Sequence, residues 1–255
     1  MFSIGGKQWF TVLFFLIIAI SKPSYGYESM ANEAEEDLES LFQTQNTGNN
    51  TALELSCESE EVISSLPEFE FSEDTITSDF AQKGLSFHPS PTSDGKFPCG
   101  MTKFEYSAIR YYTGSGYSMI NTALRSQNKD TNEKYKIVLK VINRGLSKIK
   151  PHKGFVRRGT YLPPAEVINH SLPGRIVNYP AFTSTSSFTG WNYNYRFIIY
   201  SKTCRNIAPI STHQSENEVL CPAGLEFRIL KLKPLNGQTI FLMEEVDNEE
   251  LFIDP

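Results

Sequence analysis

The chain of 255 residues has few cysteines and histidines, the side chains that most often bind zinc. It contains four cysteines, four histidines and two tryptophans. No Cys-x-x-Cys or His-x-x-x-His spacing occurs, and zinc sites commonly use such spacings. We therefore expect no metal site. With 40% hydrophobic and 21% charged residues, the composition is that of a globular protein and excludes a wholly disordered chain.

Long apolar runs are also scarce. The run from Trp9 to Ile20 has 12 uncharged residues, which is short of the roughly 20 that a membrane-spanning helix needs. It follows Lys7 and precedes the small residues Ser24 and Gly26, a pattern typical of a secretory signal peptide. We expect residues 1–26 to be cleaved off and the protein to be secreted. The alternative is that this run is kept as a membrane anchor.

Charge is distributed unevenly along the chain. Residues 27–85 hold 15 acidic side chains and one base, Lys83, whereas residues 86–255 hold 14 acidic and 21 basic side chains. The basic part can attract an anionic ligand. The acidic part can either fold over it or simply keep the protein soluble. We divide the mature chain into an acidic helical or irregular segment at residues 27–98 and a core at residues 99–255.

Export would make the four cysteines candidates for disulfide bonds. Four cysteines allow three connectivities. We favour Cys204–Cys221, because the segment between these two cysteines should begin and end on neighbouring strands, together with Cys57–Cys99.

Helical patterns come first in the core and strand patterns follow. Apolar residues at helical spacing predict helices over residues 34–42, 103–112, 118–125 and 132–148. A turn with two glycines separates the second helix from the third. Short β-branched or apolar stretches predict strands over residues 154–161, 181–186, 194–202 and 218–221, and a hairpin with an Asn-Gly turn over residues 225–246. Helices followed by a mostly antiparallel sheet indicate an α+β fold.

Two carboxylates stand at the start of one predicted strand. Glu216 and Glu218 are two residues apart, and in a strand such residues point to the same face. Both would then face one cleft. Paired carboxylates suit chemistry at a sugar carbon, where one stabilises an oxocarbenium-like centre and the other moves a proton. The alternative is a solvated turn without chemistry.

Three motifs occur in order along the predicted strands: Arg158-Gly159, Ser184-Thr-Ser186 and Glu216-x-Glu218. Together they resemble the signature of the arginine-specific mono-ADP-ribosyltransferase toxins. The stretch Tyr112-Thr-Gly-Ser-Gly-Tyr-Ser-Met-Ile-Asn121 is similar to the helical lead-in of the actin-modifying branch of that family. The resemblance covers about residues 105–245. It implies a mixed, mostly antiparallel core of two sheets around an NAD cleft.

The resemblance implies which arginines bind NAD. Arg158 would anchor the pyrophosphate bidentately. Arg157 is the alternative, because strand alternation lets only one of the two face the cleft. Gly159 would let the ligand approach the backbone closely. Arg196 matches a family arginine that contacts phosphate.

The resemblance also implies the catalytic roles. Glu218 would bind the nicotinamide ribose and stabilise the transition state as nicotinamide leaves. Glu216 would orient and deprotonate the acceptor guanidinium, since free arginine stays protonated. Ser184 would hydrogen-bond Glu218, while Thr185 would point away and Ser186 would fix the following loop.

An aromatic side chain near the start of the strand at residues 194–202 would stack on the nicotinamide ring. Tyr193 is the candidate by spacing, with Phe188 and Trp191 as alternatives. Tyr117 and Asn121 would reach the cleft from the helical side.

One position departs from the family pattern. His213 stands where the family has an exposed aromatic residue that grips the target protein, so actin cannot be assumed as the target. We expect a secreted, monomeric toxin that uses NAD, modifies an arginine of a host protein and binds no nucleic acid. The alternatives are an NAD glycohydrolase with water as the main acceptor, and a binding module without catalysis.

Overall fold

The computed structural model describes residues 55–126, 129–187, 193–235 and 237–247. All of them fall in one unit of the chain, Asn50–Pro255; the other unit, Met1–Asn49, lies outside the described residues. The predicted signal peptide and the predicted helix at residues 34–42 therefore cannot be compared with the structure.

Helices dominate the first half of the described chain. They are α1 (Glu60–Ser65), α2 (Glu73–Gln82), α3 (Lys103–Tyr111), α4 (Tyr117–Ser126), α5 (Lys129–Ser147) and α6 (Pro164–His170). The last three helices predicted from the sequence correspond to α3, α4 and α5. Where the glycine pattern predicted a turn, a π-helical turn, Tyr112–Gly116, joins α3 to α4. Two short 3-10 turns lie at Pro98–Gly100 and Gln214–Glu216.

The start of α3 is held by a buried carboxylate. Glu105 accepts a hydrogen bond from the backbone N–H of Thr102 (2.7 Å), whose side chain caps the helix in return. The same carboxylate pairs with Lys148 Nζ (2.7 Å) and with Arg144 Nη1 (3.1 Å). Two basic partners compensate the cost of removing this charge from water, and they tie α3 to the end of α5.

The strands follow from residue 154 onward. They are β1 (Gly154–Thr160), β2 (Ile176–Tyr179), β3 (Thr183–Ser186), β4 (Tyr195–Ser201), β5 (Arg205–Asn206), β6 (Glu218–Cys221), β7 (Leu225–Leu235) and β8 (Gln238–Glu245). Within the described residues the spatial order is β2-β7-β8-β4-β1-β3-β6-β5, and only the β4–β8 pair is parallel. The sequence patterns did not predict α6, β2 or β5.

The prediction of two sheets is wrong, since these strands form one continuous eight-stranded sheet. β1 uses both of its edges. Along one edge it pairs with β4 at every residue from Gly154 to Thr160, and at the other it pairs with β3 only where Arg157 lies opposite Ser186. The junction between the two parts of the sheet is therefore narrow, and sequence patterning does not show which edges meet.

The two sides of the sheet bury different cores. One core joins the helices to the sheet and includes Leu220 of β6, and the other lies among the strands and includes Val219 and Cys221. This alternation follows from the strand period of two. Because Glu218 lies two residues before Leu220, the pattern directs its side chain toward the helices.

Both favoured disulfide bonds are present. Cys57 pairs with Cys99 and Cys204 pairs with Cys221, with Cα–Cα distances of 5.1 and 4.1 Å. The second bond spans the segment that carries both glutamates, and the pairing of β5 with β6 brings its two ends together. In the described ranges, no helix has both the length and the apolar character needed to cross a bilayer.

We expect Glu105→Ala to lower the free energy of unfolding by about 3–5 kcal/mol, because it leaves Lys148 as a buried charge without its carboxylate partner. Urea denaturation with the disulfide bonds intact measures this change. The matched control is Glu133→Ala, which removes an exposed ion pair with Lys136 and should cost less than about 1 kcal/mol. Equal effects of the two substitutions would contradict the role assigned to Glu105.

Candidate active site

Glu218 is the buried acid of the site. Glu218 is the first residue of β6 and is only 4% exposed. The Ser211 hydroxyl donates to Oε2 at 3.2 Å, and the Ser184 hydroxyl makes a second hydrogen bond to the carboxylate. Burial raises the pKa of Glu218 above its ordinary value, nearby Glu216 raises it further, and the two serines act against the rise.

Glu216 differs from Glu218 in both backbone and exposure. It ends the 3-10 turn and is exposed, and Asn217 after it has a left-handed backbone (φ 49°, ψ 47°). The strand therefore begins only at Glu218, and the prediction that both acids share one strand face is wrong. The two carboxylates remain in electrostatic contact, so the structure pairs one buried acid with one exposed acid.

The Ser-Thr-Ser segment lies beside Glu218 on β3. Ser186 is the register partner of Glu218, and its hydroxyl donates to the backbone carbonyl of Glu216 (2.8 Å). The Thr185 hydroxyl donates instead to the carbonyl of Val219 (2.6 Å). Strand alternation puts Thr185 on the face opposite that of its two serine neighbours. The roles of these three residues in the reaction stay predictions.

Arg158 lies on β1, and its side chain reaches the same part of β3. Its Nη1 donates to the backbone carbonyl of Ser184 at 2.6 Å, while Arg157 Nη1 donates to the carbonyl of Ser187 at 3.4 Å. Burial lowers the pKa of Arg158, and the nearby Arg125 lowers it further. The structure thus brings Arg158 near Arg125, an arginine that the sequence patterns did not indicate. Together they could bind an anionic group.

The structure does not bring Arg196 to Arg158. Along β1 and β4, Gly159 is opposite Arg196 and Arg158 is opposite Phe197. Directly paired residues project to the same face, so Arg196 shares its face with Arg157, which it also contacts electrostatically. Sequence spacing does not reveal this, because the side on which Arg196 lies depends on the strand register.

Gly159 is buried within β1 and has ordinary extended backbone. Its lack of a side chain is therefore not required by a left-handed conformation. That a ligand approaches the backbone closely at Gly159 stays a prediction.

Among the candidate aromatic residues, only Tyr193 is described; Phe188 and Trp191 lie outside the described residues. The Tyr193 ring packs edge-on against Tyr161, with ring centroids 4.8 Å apart, and Tyr193 is in electrostatic contact with Arg158.

The two candidates on α4 have different surroundings. Tyr117 is 54% exposed. Asn121 is buried, and its Nδ2 donates to the Tyr112 hydroxyl at 3.0 Å. Asn121 is therefore connected to the acids only indirectly, through Tyr112.

Tyr112 is a site residue that sequence reasoning passed over. Its buried hydroxyl makes hydrogen bonds with Asn121 and Ser184 and interacts electrostatically with Glu218. Burial raises the pKa of this hydroxyl to about 12. The residue begins the π-helical turn, a feature that often marks functional sites. Its position two residues before the Gly-Ser-Gly stretch was the available signal, but only the tertiary contacts connect it to β3 and β6.

The π-helical turn also holds the segment before the acids. Thr113 Oγ1 accepts a hydrogen bond from the Thr212 N–H (3.0 Å), and Arg110 Nη1 donates to the carbonyl of Ile210 (3.2 Å). Exposed His213 follows, and its N–H donates to Ser211 Oγ (3.1 Å). The helices therefore fix the turn from which Glu216 projects.

This arrangement can stabilise positive charge at a carbon and accept a proton at a neighbouring exposed acid. A buried carboxylate held by two hydroxyls suits the first task, and an exposed carboxylate suits the second. In the part of the chain that the structure describes, no cluster of three or more His, Cys, Asp or Glu side chains could hold a metal ion.

Comparison with protein families gives one matching model, that of the ADP-ribosyltransferase exoenzymes, over residues 77–254. Among curated proteins, the chain is 31% identical over 136 residues to the NAD(+)–protein-arginine ADP-ribosyltransferase Tre1 of Serratia proteamaculans, covering 53% of this chain and 30% of Tre1. It is 34% identical over 152 residues to Mav of Mycobacterium avium, covering 55% of this chain and 18% of Mav, whose name provisionally ascribes NAD(+)–arginine ADP-ribosyltransfer to it. The chain spans less than a third of the length of either curated relative.

Solved structures show the same fold. The ADP-ribosyltransferase HopU1 of Pseudomonas syringae superposes with a TM-score of 0.53 at 22% identity, over 70% of this chain and all of HopU1. Vis toxin, an ADP-ribosyltransferase from Vibrio splendidus, gives 0.50 at 23% identity, over 75% of this chain and 92% of Vis. These likenesses confirm the predicted fold class. The sequence motifs also pointed to Vis itself, and identity at this level does not make the chain that toxin.

We expect Glu218→Gln to raise the melting temperature at pH 8 but not at pH 4. Because burial raises the pKa of Glu218 in the folded state, the unfolded chain loses this proton first as the pH rises. As the pH rises from the ordinary pKa of 4.5, which holds in the unfolded chain, to the raised pKa of the folded protein, wild type becomes less stable. Above the folded pKa the whole of this stability is lost. A neutral amide avoids it. Thermal melts of both proteins across this range measure the gap. Exposed Glu216→Gln is the control, and a constant gap between wild type and Glu218→Gln at every pH would refute the argument.

Proposed function

Because the chain belongs to the ADP-ribosyltransferase exoenzyme family, we propose that it transfers ADP-ribose from NAD to an arginine side chain of a protein and releases nicotinamide. One observation carries the proposal: Ser184 touches both halves of the site. Its hydroxyl bonds buried Glu218, and its backbone carbonyl accepts from Arg158 at 2.6 Å. A group that binds phosphate and an acid that acts on the adjoining ribose are thereby set side by side.

NAD enters the reaction as a substrate, and this chain has side chains that fit it. Arg158 and Arg125 supply fixed positive charge for the pyrophosphate. Tyr193, next to Arg158, supplies an aromatic face for the nicotinamide ring.

Glu218 acts on the bond between nicotinamide and ribose. When that bond breaks, the bonding electron pair moves to the pyridinium nitrogen, nicotinamide leaves as a neutral molecule, and positive charge develops on the ribose. The Glu218 carboxylate stabilises that charge and holds the ribose 2′-hydroxyl. Ser211 and Ser184 keep the carboxylate oriented, so little reorganisation is needed during the reaction.

Glu216 acts on the acceptor. A guanidinium nitrogen forms the new bond to the ribose carbon and must lose a proton, which the carboxylate of Glu216 accepts. Its exposure on the 3-10 turn fits this role, because the acceptor arrives on another protein. The names of Tre1 and Mav support arginine as the acceptor, since both name that residue for those proteins.

We further propose that the protein is a secreted toxin and that its target is a host protein with an accessible arginine. The sequence pattern of residues 1–26 and the two disulfide bonds support an oxidising destination. Exposed His213 lies three residues before Glu216, where a target protein would dock. It stands where the family resemblance implies an exposed aromatic residue that grips the target protein, so we do not propose actin as the target.

The test is a host-cell lysate incubated with the mature protein and NAD, followed by mass spectrometry of modified proteins and assay of free nicotinamide. We expect ADP-ribose on arginine with wild type. Glu218→Ala should lower both transfer and nicotinamide release by at least about 100-fold, as removal of a charge-stabilising group does. Glu216→Ala should lower transfer by about 100-fold or more while nicotinamide release continues.

The control variant is Glu133→Ala, an exposed acid on α5, which should retain wild-type rates. Nicotinamide release without any modified protein would favour an NAD glycohydrolase. No release at all from folded wild type would leave only a binding module on this fold and would reject the proposal.

A further inference from the structure

His170 is a buried titratable side chain that the proposed mechanism does not use. It ends α6 and is 3% exposed. Its ring packs against Phe197 of β4 and Phe241 of β8, with ring centroids 5.4 and 5.8 Å apart. Both nitrogens of this ring are nevertheless satisfied, so His170 is more than an apolar filler.

The partners of the two ring nitrogens determine the direction of the hydrogen bonds. Nδ1 lies 2.7 Å from the backbone carbonyl of Glu166, and Nε2 lies 2.9 Å from the Tyr179 hydroxyl. A carbonyl oxygen only accepts, so Nδ1 carries the proton of the neutral ring. Nε2 must then accept, and the Tyr179 hydroxyl donates to it. The lone pairs of the Tyr179 oxygen are left free to face another donor.

Arg158 is the donor close at hand. Phe197, on which His170 packs, is the register partner of Arg158, so the two side chains lie next to each other on one face of the sheet. Tyr179 and Arg158 are also close enough to influence each other electrostatically. The Tyr179 ring is held in turn by Phe227, with centroids 5.1 Å apart.

We propose that Tyr179 and His170 are positioning residues that hold the Arg158 guanidinium in place for the pyrophosphate of NAD. His170 fixes the hydroxyl proton of Tyr179, and Tyr179 presents its oxygen to Arg158. This inference rests on the proposed function, since it assigns Arg158 the task of binding phosphate.

The arginine needs such support. A long side chain with many rotamers binds phosphate well only when its planar fork is already oriented. The Ser184 carbonyl accepts from Nη1 at 2.6 Å, which restrains one nitrogen. Burial lowers the pKa of Arg158, and a neutral hydroxyl oxygen turned toward the guanidinium favours the charged form that phosphate requires.

Tyr179→Phe tests the proposal, because it removes the hydroxyl and keeps the ring that packs on Phe227. We expect the KM for NAD in nicotinamide release, and the Kd for ADP-ribose, to rise about five- to tenfold, the contribution of a single hydrogen bond. The kcat should stay within about twofold of wild type, because ground-state and transition-state binding of the phosphates are lost equally. Tyr200→Phe is the matched control, since Tyr200 packs on Phe155 on the other face of β4.

Two substitutions of His170 separate positioning from packing. His170→Gln keeps a polar group for Tyr179, whereas His170→Leu fills the space without one. We expect His170→Leu to raise the KM like Tyr179→Phe and His170→Gln to restore part of the loss, in proteins shown to be folded by their melting curves.

These experiments separate a failure of the positioning role from a failure of the proposed function. If wild type neither binds ADP-ribose nor releases nicotinamide, the proposed function fails and this inference falls with it. If wild type is active but Tyr179→Phe has an unchanged KM and Kd, the inference alone is overturned. Equal KM values for His170→Gln and His170→Leu would assign His170 to packing only.

Discussion

The burial of one carboxylate, Glu218, is the constraint on which the site depends. An acid removed from water needs hydrogen-bond donors that cannot move away. Ser211 and Ser184 supply them, and each comes from a different part of the chain. The turn before β6, strand β3 and the helices must therefore all be in place before this acid can be held. Its raised pKa is the energetic sign that the fold gives up stability at this point, as active sites commonly do.

The helices are part of the site for the same reason. The π-helical turn places Tyr112 against Ser184 and Thr113 against Thr212, so a single irregular turn contacts both the strand beside the acid and the loop before it. The Cys204–Cys221 bond links the two ends of the segment that contains this loop. Glu216 can then remain exposed and still be placed reproducibly, because the backbone on either side of it is restrained.

A second polar network supports the arginine. Ser184 accepts from Arg158 through its carbonyl. We propose that Tyr179, itself hydrogen-bonded to His170, supports the same guanidinium. Glu218 depends on contacts with the helices. In our proposal Arg158 depends as well on His170 of α6 and Tyr179 of β2, whose rings pack on Phe197 and Phe227 of the sheet. The acid and the arginine meet at Ser184, which lies next to the narrow junction between the two parts of the sheet.

The local sequence determined the elements whose pattern is local. Apolar spacing predicted α3, α4 and α5, β-branched runs and an Asn-Gly pair predicted most strands, and the order of the Arg, Ser-Thr-Ser and Glu-x-Glu motifs predicted the family. Only the tertiary structure decided the rest. The left-handed backbone of Asn217 separates Glu216 from the strand, the register of β1 with β4 turns Arg196 away from Arg158, and β1 joins what was expected to be two sheets. These features depend on which backbone groups, far apart in the sequence, form hydrogen bonds with each other. The spacing of residues along the chain does not predict that pairing.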